Sequence, residues 1–195
     1  MRKVALFVED TAHQQFIGAL LCRLGTESGV SINIDWRNAR RGHGAVVREF
    51  KEYLRDMELQ GGDAPDLIIA ATDANCKGFR ERTRLLSNAS NTNNERIVFA
   101  VPDPHIERWL LVDSGAFKKV LGRGCLAPDL KCERARYKKM LIDAIRDSGV
   151  TPNLGGIEYA ADIVQEMDLD LAARNDASLK TLLEELRSVF REWQD

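Results

Sequence analysis

The sequence predicts an α/β protein: a three-layer sandwich with a mainly parallel four-stranded sheet, followed by a helical C-terminal extension. Three observations predict it. Continuous apolar runs at Val4–Val8, after Asp66 and at Ile97–Val101 have the character of strands buried on both faces, as in a parallel sheet. Between them apolar residues recur at three- and four-residue spacing, so strands alternate with helices up to about residue 112. From Ser114 onward only helical patterns remain. The expected division is an α/β part, residues 1–113, and a helical part, residues 114–195, packed on it.

Strand one ends at Glu9-Asp10-Thr11, and Phe16, Ile17, Leu20, Leu21 and Leu24 then mark one helix face up to a stop at Gly25. Val30 to Trp36 alternates apolar and polar residues, a half-buried strand nearer an edge. The loop from Arg37 to Gly44 carries Arg37, Arg40 and Arg41 together with Gly42 and Gly44. Val46, Val47, Phe50, Leu54 and Met57 form the stripe of a second helix, closed by Gly61-Gly62. Strand three runs into Asp73-Ala74-Asn75. A basic helix over Lys77–Leu86 follows, carrying Lys77, Arg80, Arg82 and Arg84, and then a Ser/Asn loop. Strand four ends at Pro102-Asp103-Pro104. The next segment, His105–Val112, reads as a short helix with Ile106, Trp109 and Leu110 facing the core and Glu107 off that face. Later helical patterns lie around Phe117–Leu121, Glu133–Ser148, Ile157–Met167 and Ser178–Trp193.

Bulk properties narrow the function classes. The 195 residues are 44% hydrophobic and 30% charged, values of a globular and not a disordered chain. No apolar run reaches membrane-spanning length and the first apolar run is too short for a signal peptide, so no membrane association and a cytoplasmic location are expected. Cys22, Cys76, Cys125 and Cys132 form no CxxC pattern and read as reduced thiols, without a zinc site or disulfide. With a net charge of −2, no generally basic nucleic-acid surface is evident, so any polyanion contact falls to local patches.

Parallel strands finish on one edge of a sheet, where ligands bind. Glu9, Asp73 and Asn75 follow strands one and three, and Asp103 and Glu107 follow strand four, so one rim collects them. Clustered carboxylates repel unless a cation neutralises them or one takes up a proton. An all-oxygen set favours Mg²⁺, with Mn²⁺ as a substitute, and such an ion activates water for phosphodiester cleavage. Arg37, Arg40, Arg41, Lys77, Arg80 and Arg84 are the candidates for holding a nucleic-acid backbone, and Lys77 and Arg80 for stabilising the transition-state charge. The same residues have plainer readings. Asp73 and Asn75 suit a helix cap, Glu9 a solvated helix start, and Glu107 an exposed face. His13 suits a surface helix, and the late acids Glu166, Asp168, Asp170 and Asp176 read as solvated helix ends.

The order Phe7-Val8-Glu9, then Ala71-Thr72-Asp73-Ala74-Asn75, resembles the TOPRIM domain of topoisomerases, primases and the overcoming-lysogenisation-defect nucleases. The chain is more closely similar to a compact bacterial TOPRIM-like family encoded beside AAA or ABC-type ATPases. Val8-Glu9-Asp10-Thr11-Ala12-His13, Arg41-Gly42-His43-Gly44 and above all Ile106-Glu107-Arg108-Trp109-Leu110-Leu111-Val112-Asp113 carry that similarity. The resemblance implies a TOPRIM/Rossmann-like fold and a Mg²⁺-dependent nuclease of DNA or RNA. Glu9, Asp73 and Glu107 would hold the metal, with Asn75 and Asp103 as auxiliary ligands. It also implies an ATPase partner and a role in defence against phage. Asp10 stands where the family has Gly, His13 where it has a second Glu, and Asn75 where it has a second acid. These departures point to one competent metal instead of two, with His13 as an auxiliary ligand or base. They leave open a catalytically degenerate regulatory or scaffold subunit.

Overall fold

A computed structural model describes residues 1–38, 42–60, 64–90, 96–133 and 135–194. Strands β1 (Arg2–Val8), β2 (Ile32–Asn38), β3 (Leu67–Ala71) and β4 (Ile97–Ala100) form one sheet in the order β2-β1-β3-β4, every neighbouring pair parallel. β3 is buried along its whole length and β1 from Val4 on, which is why both read as unbroken apolar runs. β2 lies at an edge, as its alternation predicts.

Side-chain alternation divides the core into two layers. Val4, Leu6 and Val8 of β1 and Leu67, Ile69 and Ala71 of β3 face helix α1 (Thr11–Ser28) and the later helices. Ala5, Phe7, Ile68 and Ala70 face α2 (His43–Gln60) and α3 (Phe79–Ala89). Phe50 of α2 meets Phe7 edge-on at 5.7 Å between ring centroids. The remaining helices are α4 (Ile106–Leu110), α5 (Ser114–Leu121), α6 (Arg136–Asp147), α7 (Ala160–Glu166), α8 (Leu169–Asn175) and α9 (Ala177–Glu192). One hydrophobic cluster runs from β1 and α1 through to Val189 and Phe190 of α9. Among the described residues, no helix is long and apolar enough to cross a membrane.

Several boundaries differ from the sequence expectation. Helix α1 passes through Gly25 and ends at Gly29, whose φ of 67° supplies the left-handed cap. Gly25 serves a close approach instead: a Cβ there would lie 2.9 Å from the Val30 carbonyl oxygen. The basic segment after β3 begins as a short 3-10 turn, Asn75–Lys77, before α3 starts at Phe79. Helix α8 carries no periodic signal in only two turns and is set by its N-cap, Asp168, which accepts from the Asp170 and Leu171 amides. Asp176 is not a solvated helix end. It is 3% exposed, caps α9 by accepting from the Leu179 amide at 2.8 Å, and is paired with the buried Arg108 guanidinium. Its other contacts are the Trp109 indole N–H at 3.2 Å and the Ser178 hydroxyl.

The cysteines also depart from expectation. Cys76 and Cys132 are joined in a disulfide with their Cα atoms 5.4 Å apart, while Cys22 and Cys125 are free. The partners are 56 residues apart, so only the tertiary fold makes the pairing visible.

Candidate metal centre

β1 and β3 are adjacent and in register, with Val8 opposite Ala71, so the chain leaves the sheet at Glu9 and Thr72 side by side. Glu9 Oε2 accepts from the Thr72 hydroxyl and, at 3.2 Å, from the Asp73 amide. The turn after β3 is tied to the end of β4: the Ala74 and Asn75 amides donate to the Pro102 and Pro104 carbonyls at 2.8 and 2.9 Å. Asp73 is thereby held against the start of α4. Its Oδ1 accepts from the Ile106 amide at 2.9 Å, and its Oδ2 lies 2.8 Å from His105 Nδ1.

Below Asp73 sits His13, completely buried on the first turn of α1. Its Nδ1 is 2.8 Å from Asp10 Oδ1. Its Nε2 is 3.2 Å from Asp73 Oδ1, an ion-pair distance without hydrogen-bond alignment. Asp10 is also the N-cap of α1, accepting from the His13 amide at 3.0 Å. Acid and imidazole therefore alternate along Asp10–His13–Asp73–His105. The surface-helix reading of His13 is corrected by this geometry: it occupies the inward face of α1, where two carboxylates flank it.

Burial alone would push the His13 imidazole down, but the charge on Asp73 and the hydrogen bond to Asp10 win and raise its pKa to about 10. Burial likewise opposes ionisation of Asp73, yet the charge of His13 and the hydrogen bond with His105 bring its carboxyl down to about 2. The hydrogen bond with Asp73 raises His105, and the charges of Glu107 and Glu9 add to it, so both acids act on the same imidazole. Glu107, half-buried on α4, is raised by burial, with the charges of Asp73 and Asp10 adding to the effect against its own backbone amide.

These shifts fix a pH dependence. Below about pH 6.5 His13 is protonated in folded and unfolded chains alike, and its full contribution to stability is present. Between 6.5 and about 10 the folded chain keeps a proton that the unfolded chain has lost. Stability therefore falls with rising pH, by up to about 1.4 kcal/mol per pH unit. Asp73 acts in the opposite sense: its share is present above 3.8 and is lost as the pH falls through about 2. Urea midpoints from about pH 6 to pH 10 are expected to decline in the wild type and to decline less in His13→Gln; parallel profiles would remove His13 from the account.

Glu9 thus meets the Asp73 amide, and the charge of Glu107 acts on His105 from the same end of the sheet, with His13 against the inner oxygen of Asp73. Other expected site residues lie elsewhere. Asp103 follows β4, but its Oδ2 faces the Phe79 amide at 3.4 Å, and it borders a cavity of about 220 Å³ shared with Arg108, Asp176 and Ser178. Asn75 adopts a left-handed φ of 52° and turns its amide nitrogen back to the Asp73 carbonyl, 3.3 Å away. Lys77 is exposed and paired with Glu81 at 3.3 Å, and Arg80 and Arg84 are exposed on α3, whereas Arg82 is buried beneath that helix. Arg37 hydrogen-bonds Asp35 and lies over the Tyr53 ring at 4.4 Å. Arg40 and Arg41 lie outside the described residues. His105 is the residue that sequence reasoning misses. Its one-dimensional signal is its place directly after the Pro102-Asp103-Pro104 turn, at a strand's C-terminal end.

Among the described residues no three His, Cys, Asp or Glu side chains stand close enough together to hold an ion as they are placed. The charge balance nevertheless fits one hard cation. Glu9, Asp10, Asp73 and Glu107 meet the His13 imidazolium and the shared proton of His105, and among the described residues Glu107 forms no ion pair of its own. Glu9, Glu107 and the Asp73 oxygen now shared with His105 would hold such an ion. A second ion is disfavoured, because His13 already neutralises the inner face of Asp73.

Compared with known protein families, residues 8–187 match the model of a domain of unknown function (DUF4276). No curated protein and no solved structure matches the chain.

Proposed function

Taking as premise that the chain belongs to the DUF4276 family, we propose that it is a Mg²⁺-dependent phosphodiesterase, a TOPRIM-type nuclease acting on DNA or RNA. The observation that carries the reading is the convergence of Glu9, Asp73 and Glu107 from three separate chain segments on one lip of a parallel sheet. A bound Mg²⁺ would supply Lewis-acid polarisation of a phosphoryl oxygen and a more acidic water. Glu9, Asp73 and Glu107 would hold it. His13 fixes the Asp73 carboxylate from within. His105, held at Nδ1 by Asp73, leaves Nε2 to exchange a proton with a substrate oxygen. The exposed Lys77, Arg80 and Arg84 hold the phosphate backbone beside the lip. Resemblance supports the remainder of the proposal: an ATPase partner and a role as effector in anti-phage defence.

Cleavage of single- and double-stranded DNA and RNA with Mg²⁺ or Mn²⁺ tests the reading. Glu9→Gln and Glu107→Gln are each expected to lower the rate by at least about 100-fold, beyond the usual cost of losing an outer-shell partner. Rates equal to wild type in both variants would overturn it.

One observation favours a second reading, a regulatory or scaffold subunit that keeps the fold without the chemistry. Both Asp73 oxygens already have internal partners in His13, His105 and the Ile106 amide. Calorimetry with Mn²⁺ separates the two. The enzyme binds about one ion per chain through its acids, and a scaffold shows no binding that depends on Glu9 or Glu107.

A further inference from the structure

The disulfide joins two places that matter to the site. Cys76 lies in the Asn75–Lys77 turn, one residue beyond Asn75 and three beyond Asp73. Cys132 lies in the segment between α5 and α6, whose described residues, 122–133 and 135, form no helix or strand. The chain between the two cysteines contains His105 and Glu107, so the bridge closes a ring that includes part of the candidate site. Both cysteines are exposed and within reach of a small thiol.

The segment that Cys132 anchors has few other holds near the site. The Tyr137 hydroxyl accepts from the Lys131 amide at 2.8 Å and donates to the carbonyl of Asp129 or Lys131, at 2.9 or 2.8 Å. Arg136 pairs with Asp129 on the surface. Leu130 is 66% exposed, yet it borders the cavity of about 220 Å³ that Asp103 and Arg108 line. Tyr137 packs in turn against His105, ring centroids 6.1 Å apart. From the bridge, contacts thus lead in one direction to the Asp73 turn and in the other, through Tyr137, to His105.

We propose that the Cys76–Cys132 disulfide is a reducible clamp, holding the 126–133 segment against the flank of the acidic lip and releasing it when reduced. Reduction takes two electrons and two protons. The thiolate of a dithiol attacks one sulfur, giving a mixed disulfide, and its second thiol displaces the protein cysteine. The reductant leaves as its own disulfide, and Cys76 and Cys132 end as thiols. A small-molecule disulfide drives the reverse. Release uncovers the side of the cavity bordered by Leu130 and removes the covalent tie between the Asp73 turn and the segment that Tyr137 holds. The clamp stands whether or not the lip cleaves phosphodiesters, because its readouts are covalent state and local opening.

The experiment uses the full chain after equilibration with glutathione disulfide, with and without a dithiol. Mass spectrometry of the digested chain is expected to give a Cys76–Cys132 cross-linked peptide without the dithiol and both cysteines as alkylated thiols with it, irrespective of glutathione joined to Cys22 or Cys125. Amide exchange over 126–133 is expected to rise at least about tenfold on reduction, with the β1 and β3 amides unchanged. Cys132→Ser should exchange at the reduced rate in both conditions. Absence of the Cys76–Cys132 cross-linked peptide after the glutathione disulfide treatment would overturn the proposal. So would equal exchange over 126–133 in the two redox states of the wild type, a comparison that needs no variant to fold.

Discussion

Asp73→Asn is expected to abolish metal-dependent cleavage and to lower stability by about 3–5 kcal/mol at neutral pH, the usual cost of leaving a buried charge without its partner. The substitution is nearly isosteric and removes only the negative charge. Asp73 serves His13 from one side and His105 and the Ile106 amide from the other. Without that charge the fully buried His13 keeps only Asp10, whose carboxylate is open to solvent and correspondingly weaker. His13 must then stay charged without sufficient compensation or lose its proton inside the fold, and either outcome costs free energy. The double variant Asp73→Asn/His13→Gln discriminates. It should regain a large part of the lost stability while remaining inactive, because a neutral pair satisfies the core and cannot hold a cation. If Asp73→Asn unfolds at the wild-type urea midpoint, the ion pair is not what holds this corner together.

Asp176→Asn is expected to cost a similar amount, about 3–5 kcal/mol, with a different cause. Arg108 and Asp176 are both nearly completely buried, and Asp176 also caps α9 and meets the Trp109 indole. Asparagine retains the capping oxygen, so the loss isolates the uncompensated guanidinium. Replacing both partners by apolar residues, Arg108→Met with Asp176→Leu, leaves no orphan charge. It should cost less than Asp176→Asn even after the lost cap, of about 1 kcal/mol, is included. Denaturant titration of the single and double variants reads the difference directly. A double variant less stable than Asp176→Asn would assign the stabilisation to hydrogen-bond geometry instead of charge pairing.

The sheet is legible in the sequence because it depends on local pattern. β1 and β3 declare themselves as apolar runs and β2 as an alternation, and parallel direction then sets the segments that carry Glu9, Asp73 and Glu107 after strand ends on one edge of the sheet. The parts that escape reading depend on a partner distant in the chain. His13 occupies a helix position that suits solvent or core equally well, and only Asp73, sixty positions later, decides between them. Asp176 looks like any acid before a helix until Arg108 is placed against it. The Cys76–Cys132 bridge has no spacing signal at all. Asp103 fails for a subtler reason: it stands at the correct strand end, but its carboxylate turns toward α3, a choice of side that one-dimensional pattern does not encode.

The Ile106–Asp113 segment divides its labour unevenly. Arg108 and Trp109 reach into the α9 cap, and Asp113 accepts from the Gly115, Ala116 and Asp168 amides, which stitches α5 to the start of α8. Only the start of the segment serves the acids, through the Ile106 amide on Asp73 and the charge of Glu107. A relative that retained this signature but had exchanged Glu107 would still build the same scaffold and would look, by overall likeness, like a working enzyme. If the proposed chemistry holds, sorting active from inactive members of such a lineage rests on single carboxylates, not on the strength of the shared signature.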